Sequence, residues 1–597
     1  MPHSKTRQRR RDSSNPERVA ALRKQHTLLL ALLVLIVFAS TLAGGFVWSD
    51  REDLLLGAHR IDTVSDIGAA LTRSRDAFRA LTLGGYQDPA VGSWQPLVVL
   101  SNSLSWSLWG DCAFCFHLEN LLFHMLLVIG LYALGRHLLS RRRHGNRIAA
   151  WAAGMYAVHP ATLSSVAWIG GRPYLLTAVF SAWTLVAFTR LPATTRSREA
   201  NTRLWLTGLG LTATCAMLAH ETAMMLPGVA LLIAVFESMQ RDRHPLTGIS
   251  PRRYAGLAVL LGSLLLVLLY RKLALGGLHF AGSYPTESLV DNLGTAVRHL
   301  WFLIQETLLP GEPIVSDAWP VTQRWSAAES AGVLGLLALL TATLVGLWLR
   351  HPSALGVSWF LLWLVPGVGL FPSLHYYSSH VLYLAVWGAT FALAFAILQL
   401  WRPINRELIP GSEAIAFVPI ILVLAVITAL SSARWWDHRG LFEAEIASDP
   451  LYIEGRLELA KDALERDEAL IAINHIMAAI EASKDEQHTG YWPARDAFLL
   501  LGRAYWSKGM YGEAADSFAS GLESAPDDAQ MVYWLGVSEL SMRQYAAAEE
   551  SFRLALKLQP AYPEAEADLG TALAGQQRYR SEERFSRNAE TDARSRM

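Results

Sequence analysis

Long apolar stretches alternate with short polar ones over most of the chain. The first stretch, residues 27–47, has the ~20 residues that a helix needs to cross a bilayer, and it is too long for the core of a cleaved signal peptide. Further stretches of this kind follow at 117–139, 148–158, 174–188, 204–219, 222–236, 254–270, 333–349, 357–370, 381–400 and 415–430. The pattern predicts an all-α protein whose main part, residues 27–433, is a polytopic membrane helix bundle of about eleven spans.

Arginine-rich segments set the orientation of these spans. The N-terminal tail, residues 1–26, is strongly basic, and Arg141, Arg142 and Arg143 follow the second apolar stretch. Positively charged segments stay on the cytoplasmic side of a membrane. The tail is therefore predicted to be cytoplasmic, and the loop at residues 48–116 is predicted to be external.

One segment decides on which side the C-terminal part lies. Residues 297–309 are apolar but few, and Gln305 and Glu306 interrupt them. If they span the membrane, the C-terminal domain is cytoplasmic. If they lie in the interface or re-enter it, the arginines of the later loops fall on the cytoplasmic side, in agreement with the charge rule. We adopt the second interpretation, which predicts an external C-terminal domain; in a bacterial inner-membrane protein that side is the periplasm.

The pattern changes after Arg434 to amphipathic helices with a repeat. Residues 495–528 and 529–562 carry the same small and aromatic residues 34 positions apart. The matched pairs are Leu501 with Leu535, Gly502 with Gly536, Ala514 with Ala548, and Phe518 with Phe552. This spacing is typical of tetratricopeptide repeats, in which small residues let two antiparallel helices approach and aromatic residues fill the space between them. Residues 434–597 are therefore predicted to form an α-solenoid, with a divergent helix pair at 451–482 ahead of the clear repeats.

The charge balance excludes one class of partner. Lys and Arg together number 52, and so do Asp and Glu. A nucleic-acid-binding protein needs a basic face that displaces counterions from phosphates, so no nucleic-acid partner is expected. The chain has three cysteines, too few for a disulfide framework. Cys112 and Cys115 form a local disulfide if they face an oxidising compartment; otherwise two buried thiols are favoured over a zinc site or a redox motif.

Acids follow the first span directly. Asp50, Glu52 and Asp53 stand at the edge of an apolar run, where a carboxylate is costly unless it is solvated, paired or used. They are the candidate catalytic groups, and a solvated loop is the structural alternative. Paired acids could also hold a divalent cation, but oxygen ligands at such spacing are too common to predict a metal site.

Other polar residues lie at the predicted outer ends of later spans. Arg172 could bind a phosphate, because a planar guanidinium suits that group, or it could cap a carboxylate such as Glu221. His159 and His220 are further candidates for the same phosphate site. Glu221 also fits a plain helix start, since the helix dipole favours an acid there.

Two further groups are candidates for a sugar or acceptor pocket. His117 and Asn120 share one face of a predicted span with His124, a stripe that is more often a hydrogen-bonded seam between helices. His375, Tyr376 and His380 form an aromatic and polar cluster. Tyr and His are also common at membrane interfaces for no catalytic reason.

At these residues the chain resembles the transmembrane and tetratricopeptide repeat-containing proteins, which are similar to O-mannosyltransferases of the C-type glycosyltransferase fold. The resemblance lies in residues 46–50, 116–124, 159–176, 220–221 and 382–384, followed by the repeats. It implies a polyprenyl-phosphate sugar donor, an external active site and transfer of a mannose-like hexose to a protein hydroxyl, with the acceptor protein bound through the repeats. It also implies that an acid after the aromatic residue of the first loop is the base.

The chain departs from the family pattern at several of its polar positions. Ser49 stands where the first of two paired acids is usual, which leaves Asp50, with Glu52 or Asp53 as alternatives, for that role. Gln95 and His220 replace basic residues of the family, and Ser379-His380 replaces an acid-arginine pair. An alternative hypothesis is therefore an inactive, membrane-anchored repeat scaffold for envelope proteins.

Overall fold

The computed structural model describes residues 16–55, 61, 63–73, 94–142, 144–191, 199–277, 288–311, 322, 324–369, 379–404, 412–484 and 493–577. Over these ranges the chain forms helices and no strand, so the prediction of an all-α protein is confirmed. The chain divides into two compact units, and the long first unit ends at Leu441 where the second begins with Phe442.

The first unit is built from helices of very different lengths. In chain order they are α1 (Pro16–Phe38), α2 (Val64–Thr72), α3 (Pro96–Trp109), α4 (Ala113–Leu138), α5 (Gly145–Ala157), α6 (Leu163–Ala167), α7 (Arg172–Arg190), α8 (Glu199–Ala219), α9 (Leu226–Met239), α10 (Pro251–Leu275), α11 (Leu289–Leu308), α12 (Ala327–Trp348), α13 (Pro352–Leu364), α14 (Leu382–Ile404) and α15 (Ala414–Ser431). Short 3-10 helices at Ala39–Ala43, Pro160–Thr162, Ile169–Gly171, Glu221–Met225, Ser379–Val381 and Ser432–Trp436, and a π-helical turn at Arg51–Leu55, join them. Helix α16 (His438–Ser448) follows in sequence.

Seven of the described helical segments are long and apolar enough to cross a membrane, so the chain is a multi-pass membrane protein. They are Ala20–Ala43, Ala113–Leu138, Glu221–Met239, Pro251–Leu275, Ala327–Trp348, Ser379–Trp401 and Ala414–Trp436. Four predicted spans, at 148–158, 174–188, 204–219 and 357–370, do not coincide with these segments. Helices α5 and α13 have only 13 residues each. Helix α7 is long enough but is buried on most sides by protein, so it does not need a uniformly apolar surface.

Helix α11 is longer than the apolar stretch predicted at 297–309. It starts at Leu289 and has one buried face that includes Val297 and Leu300, while Leu289 and Leu308 are exposed. An amphipathic helix of this kind suits the surface of a bilayer. Its position in the interface remains a prediction.

The polar side chains along helix α4, His117, Asn120 and His124, form hydrogen bonds to three other elements. His117 Nε2 lies 3.2 Å from the carbonyl oxygen of Gly45, and Asn120 Nδ2 donates to the Trp168 carbonyl oxygen at 2.9 Å. The hydroxyl of Tyr383 in α14 lies 2.7 Å from His124 Nδ1. Each contact satisfies a buried polar group that would otherwise be costly in an apolar interior.

A buried, irregular segment connects α5 to α7 and passes beside these side chains. Backbone groups inside a protein must find partners, and here side chains from other elements supply them. Asn120 holds the carbonyl of Trp168, and Asp50 accepts from the N–H of Gly170. A Cβ atom at Gly171 would lie only 2.5 Å from the Ser165 carbonyl oxygen, so this position admits no side chain.

The second unit consists of antiparallel helix pairs. They are α17 (Ile453–Glu465) with α18 (Ala469–Ala482), α19 (Ala494–Ser507) with α20 (Tyr511–Ser524), and α21 (Ala529–Ser541) with α22 (Tyr545–Leu558), followed by helical residues 563–577. Phe518 and Phe552, the aromatic residues of the repeat, are fully buried. A Cβ atom at Gly536 would lie 2.9 Å from the Phe552 ring, so the repeated glycine is what allows the aromatic side chain between the two helices.

Candidate active site

Asp50 is buried where the first helix gives way to the following loop, with 1% of its surface exposed. Its Oδ1 accepts from the N–H of Gly170 at 2.6 Å, and its Oδ2 accepts from the N–H of Val47 at 3.2 Å. Trp48, two residues earlier, has φ +52°, a left-handed conformation that is uncommon outside glycine. The acid thus joins the first loop to the buried segment in front of Arg172.

Arg172 opens helix α7 and has no exposed surface. Its Nη2 donates to Glu119 Oε2 at 2.7 Å, and its Nη1 donates to Ser105 Oγ at 2.6 Å. The guanidinium also lies within the electrostatic influence of Asp50. Glu119 is therefore the carboxylate that pairs with this buried cation, and Asp50 lies at the same site because it binds the N–H of Gly170, two residues before Arg172.

Glu119 is the functional candidate that sequence reasoning missed. Besides Arg172, it accepts hydrogen bonds from Ser105 Oγ at 2.6 Å and from Trp109 Nε1 at 2.7 Å, and 21% of its side chain is exposed. A signal was present, because Glu119 is the only ionised side chain between residues 113 and 135 of an apolar helix. Such a residue marks a functional or paired site by default.

Glu221 lies in a second, separate ion pair. Arg271 of α10 donates from Nη1 to Glu221 Oε1 at 2.5 Å, and the guanidinium is almost completely buried. Arg172 therefore does cap a carboxylate, as its structural alternative predicts, but that carboxylate is Glu119 and not Glu221. Glu221 begins the 3-10 helix Glu221–Met225, in keeping with its alternative interpretation as a helix-start acid.

A row of aromatic rings runs between the two ion pairs. Trp48 stacks on Trp168 with centroids 4.5 Å apart, and the Trp168 ring lies 5.3 Å from that of His380. The His380 ring stacks on Tyr174 at 5.0 Å, and Tyr174 lies 4.8 Å from the ring of His220. This aromatic row, Trp48–Trp168–His380–Tyr174–His220, links the turn of Asp50 to the residue next to Glu221.

Two candidate histidines stand at the start of 3-10 helices, His159 buried and His220 half-buried. His159 Nδ1 accepts from the Ala161 N–H at 3.2 Å, and its Nε2 lies 3.0 Å from the Thr307 carbonyl oxygen. Burial lowers the pKa of His159 to about 4. His220 Nδ1 accepts from the Thr222 N–H at 3.3 Å, and burial lowers its pKa too, against the opposing effect of Glu221. Both ring nitrogens of His159 are thus engaged with backbone groups, whereas the contacts of His220 leave its Nε2 for a further hydrogen bond.

Of the remaining candidate residues, three form hydrogen bonds to other elements. His117 and Asn120 make the seam contacts of α4 described above, and His380 Nδ1 lies 3.0 Å from Ser164 Oγ. Asp53 is buried, and its N–H donates to the Ser49 carbonyl oxygen at 2.9 Å. The side chain of Glu52 and the whole of His375 and Tyr376 lie outside the described residues.

Cys112 and Cys115 form a disulfide at the start of α4. The local disulfide is thus the correct alternative, and the expectation of two buried thiols is wrong. The bond closes the turn between α3 and α4, close in sequence to Trp109 and Glu119. Within the described ranges, no group of three or more His, Cys, Asp or Glu side chains is arranged to hold a metal ion.

Comparison with known proteins gives a family model and several relatives. The model of the tetratricopeptide repeat matches residues 457–529 and 499–566. The chain is 30% identical over 284 residues to Protein O-mannosyl-transferase Tmtc2 of Drosophila melanogaster, a match that covers 46% of this chain and 28% of that protein. It is 32% identical over 145 residues to Protein O-mannosyl-transferase TMTC2 of Homo sapiens, covering 24% of this chain and 17% of that protein. The resemblance stated from the sequence is confirmed, although the matches span less than a third of the length of these curated relatives.

Two solved membrane enzymes show weaker similarity. The oligosaccharyltransferase of Archaeoglobus fulgidus, tethered with an acceptor peptide, matches with a TM-score of 0.39 and 13% identity, covering 76% of this chain and 59% of that one. ArnT of Cupriavidus metallidurans, bound to undecaprenyl phosphate, matches with a TM-score of 0.33 and 14% identity, covering 82% of this chain and 79% of that one.

Proposed function

We propose that this protein is an integral-membrane glycosyltransferase that moves a mannose-like hexose from a polyprenyl-phosphate donor to a hydroxyl group of a protein. The names of its curated relatives support transfer of mannose to protein oxygen. The observation that carries the proposal is the meeting of Asp50 with Arg172. The two are far apart in sequence, and Gly170, whose N–H binds Asp50, stands two residues before the arginine.

Asp50 is the general base of the proposed reaction. The acceptor oxygen forms a bond to the anomeric carbon of the sugar, the bond from that carbon to the phosphate oxygen breaks, and the proton of the acceptor hydroxyl moves to Asp50. Oδ2 is the oxygen that we assign to this proton, since its contact with Val47 is long while Oδ1 is held closely by Gly170.

The departing lipid phosphate needs positive charge and hydrogen-bond donors. Arg172 is a buried cation within the electrostatic influence of Asp50, and Glu119 and Ser105 accept hydrogen bonds from its terminal nitrogens. His220, neutral and at the end of the aromatic row, would supply a hydrogen bond. The scheme uses no metal ion. A divalent cation, if one binds, would be held by Asp50, Glu52 and Asp53.

The reaction is assigned to the external face of a bacterial inner membrane. The disulfide Cys112–Cys115 lies at one end of α4, and such bonds persist in oxidising compartments. Arg141 and Arg142 follow the other end, where cytoplasmic arginines are expected. The repeats of the second unit would then be periplasmic and would bind the acceptor protein.

The experiment is transfer by the purified protein in detergent from a polyprenyl-phosphate hexose to a Ser/Thr-rich peptide, read by mass spectrometry. Asp50→Asn is expected to lower kcat by about 100- to 10,000-fold, the range for losing a general base. The matched control is Asp111→Asn, an exposed acid of the same external region, which should retain full activity. Equal activity of the Asp50→Asn protein and the wild type would reject the assignment of the base.

The alternative is a repeat scaffold without catalysis, and one observation favours it: both oxygens of Asp50 accept backbone N–H groups, which is also what a purely structural carboxylate does. A scaffold acts through its second unit alone. Removing residues from Phe442 onward would then abolish whatever function a deletion strain lacks, and the remaining membrane unit would transfer no sugar. A transferase without its second unit would instead still transfer the hexose to short peptides.

A further inference from the structure

The turn that carries Asp50 is held by the last part of the membrane unit. The N–H of Trp48 donates to Nδ1 of His438 at 3.0 Å, although the two residues are 390 positions apart. The N–H of Gly45 donates to the Trp436 carbonyl oxygen at 3.0 Å, and Ser40 Oγ lies 2.5 Å from Ser432 Oγ. The segment that follows the last membrane helix therefore runs along the beginning of the candidate catalytic loop.

Trp48 is the residue of this loop whose conformation most needs support. It adopts φ +52°, and a bulky side chain in that region persists only where its surroundings hold it. On one side its ring stacks on Trp168, and on the other its N–H is bound by His438. Asp50 follows two residues later, so the backbone of Trp48 sets the direction in which the carboxylate points.

We propose that His438 is a positioning residue for Asp50, acting through the hydrogen bond that its Nδ1 accepts from Trp48. His438 does not touch the reacting atoms, and it is buried with 7% of its surface exposed. Acceptance at Nδ1 requires that the proton of the neutral ring sits on Nε2. The effect of His438 on catalysis rests on the proposed transferase function, whereas its effect on the loop does not.

Two substitutions separate the acceptor atom from the bulk of the ring. His438→Phe keeps a planar ring and removes the acceptor, while His438→Asn removes the ring and places an amide oxygen near the position of Nδ1. If the hydrogen bond matters, the Asn variant resembles the wild type and the Phe variant does not. If only packing matters, the order is reversed.

Hydrogen exchange of the Trp48 amide, measured by mass spectrometry on the purified full-length protein, is the first readout. His438→Phe should raise the exchange rate about 3- to 10-fold, the size expected for losing one hydrogen bond, and His438→Asn should leave it within about twofold of the wild type. This readout does not depend on any enzymatic activity, so it decides the positioning claim even if the wild type transfers no sugar.

Steady-state kinetics are the second readout. A misplaced base should lower kcat by about 10- to 100-fold in His438→Phe with KM nearly unchanged, and His438→Asn should restore most of kcat. The control is Trp436→Phe, because Trp436 meets Gly45 through its main-chain carbonyl and its side chain is 45% exposed. Equal exchange rates in the Phe variant and the wild type, or an active wild type whose Phe variant keeps its kcat, would overturn the proposal. A wild type without activity would instead refute the proposed function.

Discussion

The pair of Glu119 and Arg172 permits a quantitative prediction. Replacing Glu119 by Gln keeps the size of the side chain and removes the charge that faces a completely buried guanidinium. Breaking one partner of a buried ion pair costs about 3–5 kcal/mol, because the other charge stays in the interior without compensation. Glu119 is 21% exposed and Asp50 also acts on Arg172, so we expect the lower end, about 3 kcal/mol.

Thermal unfolding of the detergent-solubilised protein measures this loss. The shift in Tm per kcal/mol falls as a unit becomes larger, to about 1–2 °C per kcal/mol for a unit of this size, so Glu119→Gln should lower Tm by about 3–6 °C. The double variant Glu119→Gln with Arg172→Met removes both charges and should recover about 2 kcal/mol of the loss, because the guanidinium no longer stays in the interior without its partner. Asp242→Asn is the control, since Asp242 pairs with Arg350 on the surface and 82% of its side chain is exposed.

The control should cost less than about 1 kcal/mol, as exposed pairs do. If Glu119→Gln is no more destabilising than Asp242→Asn, then Arg172 does not depend on Glu119 for its charge balance. Water or another acid would have to stabilise the arginine instead, and the pairing that we describe would not be the one that holds the site.

Two further predictions concern the buried segment between α5 and α7. Gly171→Ala should prevent correct folding, because its Cβ atom would meet the Ser165 carbonyl oxygen, and the monodisperse peak in detergent gel filtration should be lost. The control, Gly208→Ala in α8, places its Cβ atom in open space and should behave as the wild type. Normal folding of the Gly171 variant would contradict the close approach. The pKa of His159 is about 4 in the folded protein and about 6.5 in the unfolded chain. Between these pH values the unfolded chain binds more protons, so the free energy of unfolding falls by up to about 1.4 kcal/mol for each pH unit that the pH is lowered. Above pH 6.5 His159 makes no such contribution. Chemical denaturation between pH 4 and pH 7 should show a smaller slope for His159→Asn, and an unchanged slope would mean that His159 is protonated in the folded state as well.

The repeats could be predicted well from the sequence, since each one is a local unit. Leu501, Gly502 and Phe518 recur at a fixed spacing, and a repeat of neighbouring helices needs no knowledge of distant contacts. The matched family model and the helix pairs agree with that prediction. Seven of the eleven predicted spans coincide with described helices that are long and apolar enough to cross a membrane. The hydropathy pattern could not show that a helix such as α7 is largely covered by other parts of the protein.

The site itself was predictable only in part. Asp50 and Arg172 were identified because charged groups at the ends of apolar stretches are costly, and the structure brings them to one site. The partner of Arg172 was not, since Glu119 lies on a different helix 53 residues away and only the packing of α4 against α7 selects it over Glu221. Nor could His438 be found, because a hydrogen bond to a main-chain N–H leaves no residue pattern in the sequence.

The bond between Cys112 and Cys115 places a condition on how this protein can be prepared. Cytosolic thiol systems keep such cysteines reduced, and so does the dithiothreitol of many purification buffers. Protein made that way would carry an open α3–α4 turn beside Trp109. Batches from an oxidising host and batches from a reducing one are thus two different covalent species, and assays that mix them would average over both.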